Sequence, residues 1–351
     1  MTATHRVVQW TTGNVARQTV RAVLARPDLE LVGVYAFSGD KVGKDVAELC
    51  GLDRPTGVAA TDDVDALLGL RPDCVVYTPL HFDVAAVSRL LAAGVNVVTT
   101  SEFLTGRSLT AGDRSALAQA AATGGATLFG SGMNPGFAQL LAAVAAGISR
   151  DVRRVAMTES VDVSQFAGDA NMEPLGWGRL VGDPGHAAEV AAATAVFADG
   201  VDVLAALLGL GDGQVEPQCT VAFAAATKDL DLPGRHIADG HVAGIDVRWE
   251  GLVAGRPVIE LHQRWIMDRA IEPAWTVEHA YLVEVDGDPQ VRLRLEIWPD
   301  QELATLTPDD VHAIGMRMTG LPVVNAIPGV CAAPPGIRTY ADLPPVSAHL
   351  G

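Results

Sequence analysis

Two short stretches hold residues whose types and spacing could do chemistry. The first, Trp10-Thr11-Thr12-Gly13-Asn14-Val15-Ala16, joins an apolar run to a helical pattern. Small residues at such a junction let the backbone approach a pyrophosphate, and the helix N-terminus attracts its charge. Gly13 and Ala16 stand where the second and third small residues of a G-x-x-G-x-x-G/A loop would, and Trp10 replaces the first glycine. An ordinary strand-to-helix turn could read the same way. The position in the first βα turn of a βαβ series favours a dinucleotide loop made by Thr11, Thr12, Gly13, Asn14 and Val15. The second stretch centres on Glu102, just past the apolar run Val95–Thr99. Ligands of open α/β sheets bind outside the carboxyl ends of the strands. A carboxylate there, beside a nicotinamide, could stabilise a cationic iminium and shuttle protons to and from ammonia or departing water. Glu102 could equally cap or solvate the turn before the next helix.

Three further positions qualify this chemistry. The second strand ends in Tyr35-Ala36-Phe37-Ser38-Gly39-Asp40-Lys41, with no acid directly at the strand end. A carboxylate there would bind ribose hydroxyls and repel a 2′-phosphate. Ser38 can donate to a phosphate and Lys41 can pair with it, so NADP(H) is preferred, and Asp40 leaves room for NAD(H). Ser38, Gly39 and Asp40 would also suit a turn that caps the next helix. Asn134 carries the donor and acceptor that a nicotinamide carboxamide needs, although Asn-Pro and Pro-Gly are common turn pairs. No His, Cys or carboxylate spacing points to a metal, and no G-x-S-x-G elbow is present.

The elements that must position these residues alternate. Strands are read at Arg6–Trp10, Leu29–Phe37, Asp73–Thr78, Val95–Thr99 and Ala126–Phe129. Helices are read at Asn14–Arg26, Asp40–Cys50, Phe82–Ala93 and Ala111–Ala122. Such alternation implies a doubly wound parallel sheet. After about Gly147 the texture changes to a strand at Arg153–Val163, a Gly- and Pro-rich loop and a long Ala-rich helix. Long strand-like runs follow as far as Val291–Trp298, where Val291, Leu293, Leu295 and Ile297 share one face. A helix is read at Pro308–Thr319, and the Pro-rich tail wraps back on the body. The expected fold is therefore α/β. An N-terminal Rossmann domain spans 1–135 and is completed by 321–351; an α+β substrate-binding and dimerisation domain with a mostly antiparallel sheet spans 136–320.

The chain has 351 residues with 25 basic against 42 acidic side chains, a formal charge of −17. This balance argues against a nucleic-acid partner, since phosphate neutralisation needs clustered Lys and Arg. Cys50, Cys74, Cys219 and Cys331 form no C-x-x-C and read as buried thiols of a reducing compartment. The start Met1–Arg6 has no signal-peptide pattern, and the apolar stretch Ala187–Leu210 carries Glu189, Asp199 and Asp202. The expectation is a cytoplasmic protein with no membrane partner.

Five segments together resemble a known group. They are Trp10-Thr11-Thr12-Gly13-Asn14, Tyr77-Thr78-Pro79, Thr100-Ser101-Glu102-Phe103, Gly132-Met133-Asn134-Pro135-Gly136-Phe137 and Asn325-Ala326-Ile327-Pro328-Gly329. The group is that of proteins with a dihydrodipicolinate reductase-type N-terminal domain, and the branch is that of 2,4-diaminopentanoate dehydrogenase and the native amine dehydrogenases. The resemblance covers most of the chain and is most specific over the first 140 residues. It implies that Glu102 is the acid/base residue and that Tyr77, Thr78 and Pro79 line the cofactor. It implies reductive amination of a small ketone or aldehyde with ammonia, or the reverse, and a homodimer. The lysine-biosynthesis reductase of this group carries a His-His-x-x-Lys-x-Asp-x-Pro-Ser-Gly-Thr segment that the region Thr158–Gln165 lacks. That argues for a smaller or less anionic substrate. His81, Phe137, Trp177 and His262 are candidate substrate contacts. A reductase of a preformed imine or carbonyl, and a non-catalytic NADPH-binding redox sensor, remain as other readings.

Overall fold

The computed structural model describes residues 4–211, 213–302 and 305–348; of the N-terminal reading Met1–Arg6, Met1–Ala3 lie outside them. The chain divides into two compact units, one made of 1–137 with 313–351 and the other of 138–312.

The first unit holds β1 (His5–Trp10), α1 (Asn14–Leu24), β2 (Leu29–Tyr35), α2 (Val46–Cys50), β3 (Ala60–Thr61) and α3 (Val64–Gly69). Then come β4 (Cys74–Tyr77), α4 (Val84–Ala92), β5 (Asn96–Thr99), α5 (Ala111–Gly124) and β6 (Thr127–Gly130). Near the other end of the chain, α9 (Pro308–Ala332) runs into the unit and β16 (Gly336–Arg338) joins its sheet. The strand order is β16-β6-β5-β4-β1-β2-β3, and every pairing is parallel. Chain order reverses between β1 and β4, which opens a crevice at their carboxyl ends. The core is apolar on both sides of a strand, as parallel sheets require: Val7, Val8, Val75, Val76, Val97 and Val98 are all buried.

Three local readings differ from the structure. The helix expected over 40–50 is only α2, because Asp45 caps it by accepting from the Ala47 amide at 2.7 Å and Ser38–Lys41 forms a turn instead. Three elements, β3, α3 and β16, have no counterpart in the sequence reading. The helix expected to stop at Thr319 continues through Pro322 and Pro328. Pro328 lacks the N–H that would bond the Val324 carbonyl four residues earlier. Arg26 Nη1 lies 3.4 Å from that oxygen and 3.2 Å from Asn325 Oδ1, so a donor from after α1 serves the orphaned carbonyl. The Asn325–Gly329 segment thus has a structural explanation.

The second unit contains α6 (Ala138–Ala146), β7 (Arg150–Asp162), α7 (His186–Ala193), α8 (Val196–Leu207), β8 (Glu216–Ala226) and the small hairpin β9 (Leu230–Leu232) with β10 (Arg235–Ile237). It goes on with β11 (Val242–Val253), β12 (Arg256–Ile266), β13 (Ile271–Glu272), β14 (Ala280–Asp288) and β15 (Val291–Leu295). Its sheet has the order β13-β8-β11-β12-β7-β14-β15, parallel only between β12 and β7. The single Ala-rich helix of the sequence reading is two helices bent by 50°. Thr194 stands at the break, where its hydroxyl bonds the Val190 carbonyl at 2.8 Å and accepts from Trp249 Nε1 at 3.2 Å. Among the described residues no single helix is long and apolar enough to cross a membrane; α7 and α8 pass that test only together.

One face of this sheet carries an ion cluster. Asp246 Oδ2 accepts from His262 Nε2 and from Arg264 Nε, each at 2.8 Å, and Arg264 also lies over the Trp275 ring. Burial alone would raise the Asp246 carboxyl, but the hydrogen bonds and charges of His262 and Arg264 outweigh it and hold it at about 2. A carboxylate lowered on folding adds stability above its unfolded value, near 3.8, and loses it as pH falls through about 2. Asp246→Asn is therefore expected to cost about 2 kcal/mol at neutral pH. In calorimetry the gap between variant and parent should close as pH drops from 4 to 2; a constant gap would show that the cluster is not what stabilises the parent.

Candidate active site

The crevice between β1 and β4 is organised by a buried hydrogen-bond chain. Gln9, only 1% exposed, donates from Nε2 to Thr78 Oγ1 at 2.9 Å and to the Trp10 carbonyl at 3.2 Å. Its Oε1 accepts from Thr19 of α1 at 2.5 Å. Thr78 Oγ1 donates to the Trp10 carbonyl at 3.0 Å, and Thr11 Oγ1 lies 3.1 Å from Thr78 Oγ1. Thr78 Oγ1 is thus tied to Gln9, Trp10 and Thr11. Thr78 stays partly exposed at the crevice. Tyr77 departs from expectation. Its ring is 1% exposed and burial pushes its hydroxyl up to about 12, so it supports the crevice from the core.

Trp10 explains itself the same way. Its ring stacks on Tyr35 at 4.1 Å and leans on Tyr77 at 5.9 Å, so the side chain enters the core where the first loop glycine was expected. Thr11 follows with φ +86°, a conformation that costs a β-branched residue about 1–3 kcal/mol. Gly13 is the N-cap of α1, and no side chain caps that helix. A Cβ on Gly13 would have no neighbour within 4 Å, so the protein's own packing does not demand the glycine. Open space in front of uncapped N–H groups fits a pyrophosphate. Lys41 Nζ reaches the Thr12 hydroxyl at 3.1 Å, and the turn Ser38–Lys41 sets exposed Ser38 beside it.

Glu102 sits on the adjacent loop, after β5, and also has positive φ, +37°. The loop is clamped. Ser101 Oγ donates to the Pro79 carbonyl at 2.5 Å, Phe103 stacks on Phe82 at 4.6 Å, and a Cβ at Gly130 would stand 1.7 Å from the Phe103 carbonyl oxygen. These ties align two dipeptides, His81-Phe82 and Glu102-Phe103. His81 Nδ1 lies 3.9 Å from Glu102 Oε2, with side-chain exposures of 78% and 56%. The sequence reading named both residues without pairing them. Gln9 is not among the sequence candidates; its one signal there is a lone amide within the apolar run Val7–Trp10.

Residues 137–351 match the 2,4-diaminopentanoate dehydrogenase C-terminal domain. The chain belongs to that family. It is 28% identical over 361 residues to an amine dehydrogenase of Streptomyces virginiae, with 98% of each chain covered. Over a shorter stretch of 83 residues, 20% of this chain and 30% of the other, it is 35% identical to a 4-hydroxy-tetrahydrodipicolinate reductase of Synechococcus elongatus. The solved amine dehydrogenase from Mycobacterium smegmatis shares the fold with a TM-score of 0.79 and 24% identity, covering 98% and 97% of the two chains. These similarities put the chain, as a family member, in the 2,4-diaminopentanoate dehydrogenase and amine dehydrogenase branch of the NAD(P)-dependent oxidoreductases.

The remaining candidates fall in both units. Asn134 (φ −151°) lies in the irregular segment Met133–Phe137 after β6. There Gly136 has φ +134°, and a Cβ on it would meet Ser131 Oγ at 2.4 Å, so only glycine fits. Phe137 closes that segment. In the second unit of this family member, Trp177 is 4% exposed and His262 is bound to Asp246, which accounts for its burial. Among the described residues no group of His, Cys, Asp or Glu could hold a metal ion.

Proposed function

We propose that the chain catalyses NAD(P)H-dependent reductive amination of a small ketone or aldehyde with ammonia, or the reverse oxidative deamination, with Glu102 as the acid/base. The observation that carries this reading is the strained, clamped placement of Glu102 on the loop next to the β1/β4 crevice. Strain of this kind persists only where the surroundings over-determine it, and it gathers at functional sites. A nicotinamide bound in that crevice supplies a hydride, or takes one up. The N–H groups at the start of α1 and the Thr11–Val15 loop would hold its pyrophosphate. Lys41 and Ser38 would meet a 2′-phosphate, which favours NADPH, and Asn134 would hold the carboxamide. Glu102 takes a proton from the nitrogen and passes it to the carbonyl oxygen as ammonia adds, then relays a second from the nitrogen to the resulting hydroxyl, which leaves as water. The reading includes a homodimer, which sedimentation velocity tests directly.

The test is NADPH consumption with a panel of small carbonyls, with and without ammonia. Turnover that needs ammonia is expected. Turnover on carbonyls or cyclic imines without ammonia would make the chain a plain reductase, and tight cofactor binding with no turnover would make it a sensor. Titration of both nicotinamides completes the experiment; tighter binding of NADH would remove the role given to Ser38 and Lys41.

A further inference from the structure

Gln9 is buried at the point where three elements meet, and its amide can face only one way. Nε2 lies against the Trp10 carbonyl. The flipped amide would set two acceptors face to face there, so that carbonyl determines the orientation. The rest of the chain follows. Thr19 donates to Oε1, Nε2 donates to Thr78 Oγ1, and Thr78 donates to the Trp10 carbonyl. Thr11 Oγ1 can spend its proton on Thr78 Oγ1 at 3.1 Å or on the Thr78 carbonyl at 3.4 Å, and both lie inside the protein. Thr11, held at φ +86°, thus has its hydroxyl tied to Thr78, and through Thr78 to Gln9.

We propose that Gln9 is a positioning residue for the dinucleotide. It acts through Thr78 to hold the Thr11 hydroxyl in place at the crevice. The inference rests on the cofactor reading above but not on the amine chemistry, so binding rather than turnover is its readout. Gln9 touches no ligand itself. Its removal loosens the direction of the bonds and leaves the aromatic core in place.

The experiment compares Gln9→Met, Thr11→Val and the double variant by equilibrium titration with NADPH and NADH, followed by steady-state kinetics. Gln9→Met is expected to weaken cofactor binding about tenfold, the scale of a buried hydrogen bond left unmade. The KM for the cofactor should rise with it, while the KM for the carbonyl stays put. Thr11→Val should do the same. Because both residues act through one chain of bonds, the double variant should bind within about twofold of the weaker single variant. Additive losses would overturn the proposal, and so would a Gln9→Met protein that melts early yet binds the nucleotide normally. If the parent binds neither nicotinamide, the cofactor reading itself falls and takes this inference with it; binding without amine turnover overturns only the proposed reaction.

Discussion

Replacing Glu102 with Gln is expected to cut turnover by about 10²–10⁴-fold, the usual contribution of a positioned proton carrier. The substitution keeps the shape of the side chain and its reach toward His81, 3.9 Å away. It removes only the ability to take and release a proton. The backbone at φ +37° burdens glutamine as much as glutamate, so the loop should stay where Ser101 and Phe103 hold it. Nicotinamide binding should therefore stay within about twofold of the parent, since none of the cofactor-holding groups is touched. Single-turnover measurements separate the chemical step from product release. Full activity in Glu102→Gln would show that another group moves the proton, and a parallel loss of cofactor affinity would show that Glu102 serves binding.

The second large effect belongs to a residue with no chemistry of its own. Gly130 ends β6 directly beneath the Glu102 loop, and a Cβ there would stand 1.7 Å from the Phe103 carbonyl oxygen and 2.7 Å from its carbon. Both are backbone atoms, so no side-chain rotation relieves the clash. Gly130→Ala must push the Phe103 peptide outward and break its stack on Phe82 or the Ser101 tie to Pro79. The expected cost is about 2–4 kcal/mol in urea unfolding. Turnover should fall by about 10²-fold even where the variant is fully folded, because a shift of about 1 Å in a catalytic group has that effect. Gly13→Ala is the contrast: its Cβ meets no protein atom. Unchanged stability and turnover in Gly130→Ala would mean that the loop tolerates displacement and is not clamped.

The sheet of the first unit was legible because short apolar runs such as Cys74–Tyr77 and Asn96–Thr99 lie between Gly and Pro punctuation. Elements set by distant partners were not. Two prolines in α9 read as a stop, and only Arg26, about 300 positions away in sequence, reveals how the helix survives one of them. Thr194 reads as an ordinary helical residue until Trp249 is found donating to it. A two-residue strand such as β3 has no period to detect. At the site, residue types near strand ends pointed to Glu102 and the Gly13 loop. What they could not show was direction: that Tyr77 turns into the core, and that buried Gln9 joins Thr19 to Thr78.

The sheet of the first unit takes one edge strand, β16, from residues 336–338, while among the described residues the strands of the other unit lie within 150–295. During synthesis the inserted unit thus has its complete set of strands while the sheet begun before it still lacks an edge. The sheet translated first is thus completed only after the inserted unit, once β16 has been made. Cutting after residue 137 would strand an open β6 edge, whereas a circular permutant that joins the two separated stretches would give that unit an unbroken chain of its own.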